Sequence, residues 1–312
     1  MVDQMEPVVA ERCAERYDLI KAWDVDREAV LQARGHDVSA LLASGATAVD
    51  GRLLDRLPNL QIITCGGVGF DYVDLRSATE RGVVVTNTPG VLDDEVADTA
   101  IGLLLMTVRE LSAAERWVRE GHWASDGPYR LSPTTLASRT LGVVGLGRIG
   151  LAIAHRAEGF GLRISYHNRR RRGDVPERYA YYDTLVGLAA AVDTLMVVLP
   201  GGAGTYHAVN AHVLGALGRE GVVINVGRGS VVDTDALVAS LRSGSIAAAG
   251  LDVVEGEPLV PPELLDCPTA VVLPHVASGS VATRRAIGQL VLDNLESWFT
   301  SGTAVTPVRQ VQ

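Results

Sequence analysis

From residue 140 onward, short runs of Val, Ile and Leu alternate with stretches whose apolar positions recur every three to four residues. The runs 141–144, 162–166, 194–199, 222–226, 247–253 and 270–273 are apolar at nearly every position, so both faces of each strand are expected to be covered. Between them, 151–160, 182–191, 211–217 and 234–243 carry the helical period. Strands alternating with helices predict a parallel sheet with helices on both faces, a Rossmann domain. The first hundred residues repeat the theme with shorter elements: strands at 40–43, 62–65 and 83–86, and helices around 8–16 and 51–57. Longer helical patterns cover 95–120 and 278–299, and no strand follows the second, which is therefore expected to return to the first domain. The predicted class is α/β, with two Rossmann-like or flavodoxin-like domains on parallel sheets. One domain takes 1–98 plus 282–312, and a second domain, 99–281, is inserted into it. Residues 1–5 are short and polar where a first strand is expected, which leaves open a reduced strand or a later start of the chain.

One break in this pattern carries chemistry. Residues 140–150 read Thr-Leu-Gly-Val-Val-Gly-Leu-Gly-Arg-Ile-Gly, a strand that opens into Gly145-Leu146-Gly147-Arg148-Ile149-Gly150 just ahead of a helix. The first glycine permits a tight turn, and the second lets backbone N–H groups reach a pyrophosphate. The third lets helix and strand pack closely, with the helix N-terminus facing the phosphates. Glycine-rich turns are common, so the pattern alone is weak; its place between strand and helix favours a dinucleotide site. An NAD-preferring fold places Asp or Glu about 20 residues further on to bind the ribose 2′-hydroxyl. Here the second strand runs into Asn168, Arg169 and Arg170 with no acid. Without an acid to repel it, a 2′-phosphate is welcome beside arginines, so NADP(H) is preferred and NAD(H) remains possible. Arg171 and Arg172 read as a solvated basic loop.

Bulk properties narrow the partners. A chain of 312 residues accommodates two domains with sizeable cores, and 33 glycines suit many tight strand-to-helix turns. A formal charge of −9 argues against nucleic acid or an anionic membrane, and an anionic substrate then needs a local cationic site. Cys13, Cys65 and Cys267 are scattered and odd in number, pointing to neither a disulfide framework nor zinc but to thiols in a reducing cytoplasm. His207 and His212 have no matching carboxylate or cysteine set in the sequence, so no metal is expected. No segment reads as a signal peptide or a membrane span.

Three polar residues follow strands at the edge where α/β sheets bind ligands. Arg228 follows 222–227, Glu257 follows 250–256, and His275 follows 271–274. An arginine fork holds a carboxylate bidentately, and a histidine oriented by a carboxylate exchanges protons near neutral pH. Taken singly, Arg228 is equally a salt-bridge residue, Glu257 a turn residue before Pro258, and His275 a satisfied loop histidine. Together, downstream of a phosphate loop, they suit reduction of a 2-keto acid.

The segments 66–71 (Gly-Gly-Val-Gly-Phe-Asp), 87–91 (Asn-Thr-Pro-Gly-Val), 145–150, 226–230 (Val-Gly-Arg-Gly-Ser), 250–254 with Glu257-Pro258, and 273–276 (Leu-Pro-His-Val) carry a resemblance over nearly the whole chain. The sequence resembles the D-isomer-specific 2-hydroxyacid dehydrogenases. The resemblance implies that Arg228 binds substrate and that His275 is a proton donor paired to Glu257. Asp252 would touch the nicotinamide carboxamide, Val226 would join the cofactor set, and the backbone at Val68 and Gly69 would hold the substrate carboxylate. The stretches 166–170, 199–202 and 278–285 further resemble the NADP-dependent glyoxylate/hydroxypyruvate reductase branch, shared with hydroxyphenylpyruvate reductases. That branch implies Thr205 on the adenosine side, Ser278 and Arg284 in the substrate pocket, and Trp123 reaching a partner's pocket across a homodimer interface that also involves Trp117. Reduction of glyoxylate or hydroxypyruvate to a D-2-hydroxy acid is the leading expectation. Aromatic 2-keto acids, a phosphorylated substrate, and a nucleotide-sensing corepressor or scaffold on the same fold are the alternatives.

Overall fold

The computed structural model describes residues 1–45 and 47–309. The chain divides into two compact units, Met1–Leu92 together with the residues from Gly279 onward, and Asp93–Ser278.

In the first unit, strands β1 (Ala40–Ala43), β2 (Ile62–Cys65) and β3 (Val84–Thr86) form a parallel sheet in that order. Their side chains divide by the two-residue period of a strand. Leu42 and Ile62 face one side, where the helices Pro7–Arg16 and Val281–Ser301 bring Val9, Cys13, Val291, Leu292 and Leu295. Leu41, Ile63, Cys65 and Val85 face the other, against Leu53, Leu54, Leu57 and Ala78. Two covered faces explain why these strands are apolar throughout. The long helix after residue 280 thus belongs to this unit, and Ser280 caps it by accepting from Thr283 N at 3.1 Å. No strand forms over residues 1–5; Val2 N–H donates to Leu42 O at 2.9 Å.

The second unit carries β4 (Thr140–Val144), β5 (Arg163–His167), β6 (Ala180–Tyr182), β7 (Thr194–Val197), β8 (Val222–Asn225), β9 (Ala248–Leu251) and β10 (Ala270–Val272). All pair in parallel, in the order β10-β9-β8-β7-β4-β5-β6. Counted from β4 this is 3-2-1-4-5-6 with a seventh strand added, the doubly wound order, and the strand sequence reverses at β4. The α/β class with parallel sheets is as the sequence predicted.

Two local expectations are corrected. The segment 182–191 is not one helix: β6 forms first, then Thr184 caps Leu185–Ala190 by accepting from Gly187 N at 3.1 Å. The segment 95–120 is two helices, Asp93–Val108 and Leu111–Arg119, broken where Glu110 takes a left-handed φ of 54°. The first begins with Asp93, Asp94 and Glu95, acids that favour a helix N-terminus. Arg156 holds it to the helix Arg148–Glu158 through Asp94 at 2.9 Å and Asp98 at 2.5 Å.

Candidate active site

Because the seven strands are parallel, their carboxyl ends meet along one edge, and the chemistry singled out in the second unit emerges there. The first piece is the loop after β4. Gly145 has φ +97°, a region that side chains with a Cβ rarely adopt. A Cβ on Gly150 would sit 2.4 Å from Gly145 O, so only glycine lets the helix approach the strand end this closely. A Cβ on Gly147 would meet nothing within 4 Å. Gly147 caps the eleven-residue helix Arg148–Glu158 without a side-chain bond, so no side chain caps its leading N–H groups. Leu146 is buried, Ile149 is half-buried, and Arg148 pairs with Asp93 at 3.2 Å.

Asn168 holds this loop in place. Its Oδ1 accepts from Leu146 N at 2.7 Å, and its Nδ2 donates to Leu146 O at 3.3 Å. Arg172, read from sequence as solvated, is corrected by the same geometry. Its guanidinium donates to Leu146 O at 2.7 Å while Asp174 holds it at 2.5 Å and 2.8 Å. Arg169 and Arg170 are exposed and have no hydrogen bond or ion pair among the described residues. Thr205 turns its hydroxyl back into its own loop, donating to Pro200 O at 2.7 Å.

The second piece follows β8. Asn225 is fully buried, and its Oδ1 accepts from Gly227 N while its Nδ2 donates to Arg228 O, both at 3.0 Å. This amide shapes the turn that presents half-buried Arg228, whose Nη1 donates to Gly227 O at 2.8 Å. A Cβ on Gly229 would lie 2.1 Å from Val254 C, so this turn packs directly on the backbone after β9. Val226 is buried and donates its N–H to Val197 O at 3.1 Å, continuing the sheet.

After β9 and β10 come Glu257 and His275, joined by a hydrogen bond of 2.5 Å between His275 Nδ1 and Glu257 Oε1. Glu257 Oε2 also accepts from Val254 N at 3.1 Å. Burial pushes the Glu257 pKa up, but the His275 hydrogen bond and charge, the Val254 N–H and the Arg228 charge outweigh it, and the carboxyl sits below its ordinary value. With Nδ1 so engaged, Nε2 is the ring atom left for a reacting group. His275 holds a left-handed φ of 53°, which its surroundings enforce. Its N–H donates to Asp252 O at 2.8 Å, and the next two amides, Val276 and Ala277, donate to the Asp252 carboxylate at 2.8 and 2.9 Å. Asp252 is 1% exposed. The work it shows is to clamp the histidine loop, rather than to offer a free carboxylate.

Sequence reading gave His207 no carboxylate partner, and the structure supplies one. Its Nε2 meets both oxygens of Glu255 at 3.0 and 2.9 Å, and its N–H donates to Ser230 O at 2.8 Å, tying the loops of Arg228 and Glu257 together. Asn225 was missed as well; a lone polar residue ending the run 222–224 was the available signal. In the same unit Trp123 is 62% exposed, whereas Trp117 is anchored by its Nε1 donating to Gly127 O at 3.0 Å. Ser278 is half-buried at the end of this unit.

Two expected substrate positions lie in the first unit. The turn after β2 carries Val68 and Gly69, and Arg284 stands half-buried in the first turn of Val281–Ser301. Asn87, which the sequence offered only as part of a motif, donates from Nδ2 to Val68 O at 2.8 Å.

Fold and edge together define a dinucleotide-binding α/β protein with an imidazole–carboxylate pair and an arginine on the same sheet edge. A family model described as D-isomer specific 2-hydroxyacid dehydrogenase, NAD binding domain, matches residues 101–277. The chain belongs to the D-isomer-specific 2-hydroxyacid dehydrogenase family. It is 41% identical over 309 residues to glyoxylate/hydroxypyruvate reductase A of Arabidopsis thaliana, covering 99% of this chain and 97% of that one. To hydroxyphenylpyruvate reductase of Plectranthus scutellarioides it is 40% identical with the same coverage. Among solved structures, the NADPH-dependent glyoxylate/hydroxypyruvate reductase of Sinorhizobium meliloti, in complex with NADP and malonate, superposes with a TM-score of 0.94. It is 51% identical, and the match covers 99% of this chain and 95% of that one.

Proposed function

We propose that this protein is an NADPH-dependent reductase of small 2-keto acids, glyoxylate and hydroxypyruvate first, yielding D-2-hydroxy acids. The observation that carries the reading is the 2.5 Å His275–Glu257 bond on the same sheet edge as Arg228 and the glycine loop. Relatives named for this activity, and a Sinorhizobium homologue bound to NADP and malonate, support it.

The residues present suit the cofactor. Open space at Gly147 and a helix N-terminus without a side-chain cap fit a pyrophosphate, and the free cations Arg169 and Arg170 fit a 2′-phosphate. NADPH supplies the hydride when bound. Arg228 pairs with the substrate carboxylate and polarises the adjacent carbonyl, while the Val68 and Gly69 amides serve as further carboxylate donors. His275 gives a proton from Nε2 to the carbonyl oxygen as it gains charge, and Glu257 fixes the ring by accepting from Nδ1. Ser278, Arg284 and a partner's Trp123 line the substrate site in this reading. The protein works in the cytoplasm as a homodimer, for which exposed Val118, Trp123 and Leu131 are the apolar surface. Light scattering at the mass of one chain would remove the dimer.

The Plectranthus relative favours one second reading, reduction of an aromatic 2-keto acid. Turnover with glyoxylate, hydroxypyruvate and 4-hydroxyphenylpyruvate in parallel separates the two. In the same assay, His275→Gln is expected to lose about 10²- to 10⁴-fold in kcat while still binding NADPH. Near-normal turnover by that variant would remove His275 from the chemistry.

A further inference from the structure

We propose that Thr306 is a positioning residue for the substrate-carboxylate turn at 66–69, acting through Asn87. The inference rests on the functional reading above, in which the Val68 and Gly69 amides receive the carboxylate.

The turn is held by its carbonyls. Asn87 Nδ2 donates to Val68 O at 2.8 Å, and Thr88 N donates to Gly67 O at 2.9 Å. In a planar trans peptide the carbonyl of one residue and the N–H of the next point in opposite directions. Pinning Gly67 O therefore aims Val68 N–H, and pinning Val68 O aims Gly69 N–H. Neither amide has a hydrogen-bond partner among the described residues. Two adjacent N–H groups, oriented from behind and free in front, are the donors an oxyanion needs.

Asn87 is itself held from the segment after the long helix. Thr306 Oγ1 donates to Asn87 O at 2.6 Å, and Asn87 N donates to Thr306 O at 3.4 Å. Behind Thr306 stands Asn294, fully buried in the helix Val281–Ser301. Its Nδ2 donates to Thr306 Oγ1 at 2.9 Å and to Leu290 O at 2.8 Å, and its Oδ1 accepts from Thr306 N at 2.9 Å. An amide nitrogen only donates and a carbonyl only accepts, so the hydroxyl between them has one orientation. Val308 N donates to Val85 O at 2.8 Å, and Pro307 bridges Thr86 antiparallel, so the same segment lies along β3. The path from Asn294 through Thr306 and Asn87 to Val68 is continuous within one unit.

Thr306→Val keeps the shape and removes the hydroxyl, and Thr306→Ser restores it. Steady-state kinetics of the two variants are expected to separate by substrate. Thr306→Val raises KM for hydroxypyruvate about fivefold or more, the scale of one lost hydrogen bond with a group left unpaired, and leaves KM for NADPH unchanged. Thr306→Ser stays near wild type. Hydrogen exchange of the 66–71 peptide reads the same relay without turnover, and Thr306→Val is expected to speed it. If Thr306→Val does not fold, Asn87→Ala cuts the next link and is expected to give the same KM split. An unchanged hydroxypyruvate KM with unchanged exchange at 66–71 overturns the relay, as does a parallel rise of both KM values. A wild-type protein that turns over no 2-keto acid, with exchange at 66–71 still responding to Thr306→Val, overturns the carboxylate role and leaves the tether standing.

Discussion

Glu257 and His275 show what a single pair can do on a sheet edge. The folded protein holds the Glu257 carboxyl below its ordinary 4.5, despite the burial that opposes this, because the imidazole, the Val254 amide and Arg228 all favour the anion. A carboxyl whose pKa is lowered by folding adds stability above its unfolded value and loses it as pH falls through the folded one. Thermal melts should therefore show wild type losing part of its advantage over Glu257→Gln as pH drops below 4.5. A gap between the two proteins that is constant across that range would contradict the assigned electrostatics. Arg228, Glu257 and His275 were legible in the sequence because each is a reactive residue just after an apolar run. His207, Arg172 and Asn87 were not, because each holds a backbone carbonyl or an acid distant in sequence, and Asn225 was not, because a lone amide ending an apolar run does not announce the turn it shapes. Arg172 is the instructive case: an arginine run looks solvated until Leu146 O, 26 residues earlier, is seen to accept from it.

At the scale of elements, continuous apolar runs announced strands with two covered faces, and Ile62 and Ile63 show the reason, since these neighbouring residues feed opposite cores. What failed was punctuation. The break at Glu110 has no glycine or proline to mark it, and β6 is three residues long at a sheet edge, where two tyrosines read equally well as a helix start. The strand–loop–helix unit around 140–158 makes a sharper claim. A methyl on Gly150 would stand 2.4 Å from Gly145 O and 3.1 Å from Val143 Cγ1, inside a packed joint. Gly150→Ala is expected to cost about 1–3 kcal/mol in denaturant unfolding, as overpacking of a core does, and to weaken NADPH binding by shifting the loop. Wild-type affinity for NADPH together with unchanged stability would mean that the third glycine is not what lets helix and strand meet.

For the whole molecule, the partition of the chain into a unit built from both ends and a continuous unit of residues 93–278 is a consequence of one long helix returning after residue 280. Among the described residues no helix is long and apolar enough to cross a membrane. With a net charge of −9, binding small anions calls for local cations, and the proposed function assigns Arg228 to the substrate and Arg169 and Arg170 to a 2′-phosphate. Cofactor choice is therefore where sequence, site and activity are tested together. The decisive measurement is nucleotide oxidation with hydroxypyruvate, using NADPH and NADH in parallel, on wild type and on Arg169→Ala/Arg170→Ala. Wild type should turn over rapidly with NADPH and poorly with NADH. The double variant should lose about tenfold or more in NADPH affinity, the scale of one charge-assisted hydrogen bond, without losing turnover with NADH. No turnover by wild type with either nucleotide, or equal use of both in wild type and variant alike, would contradict the account.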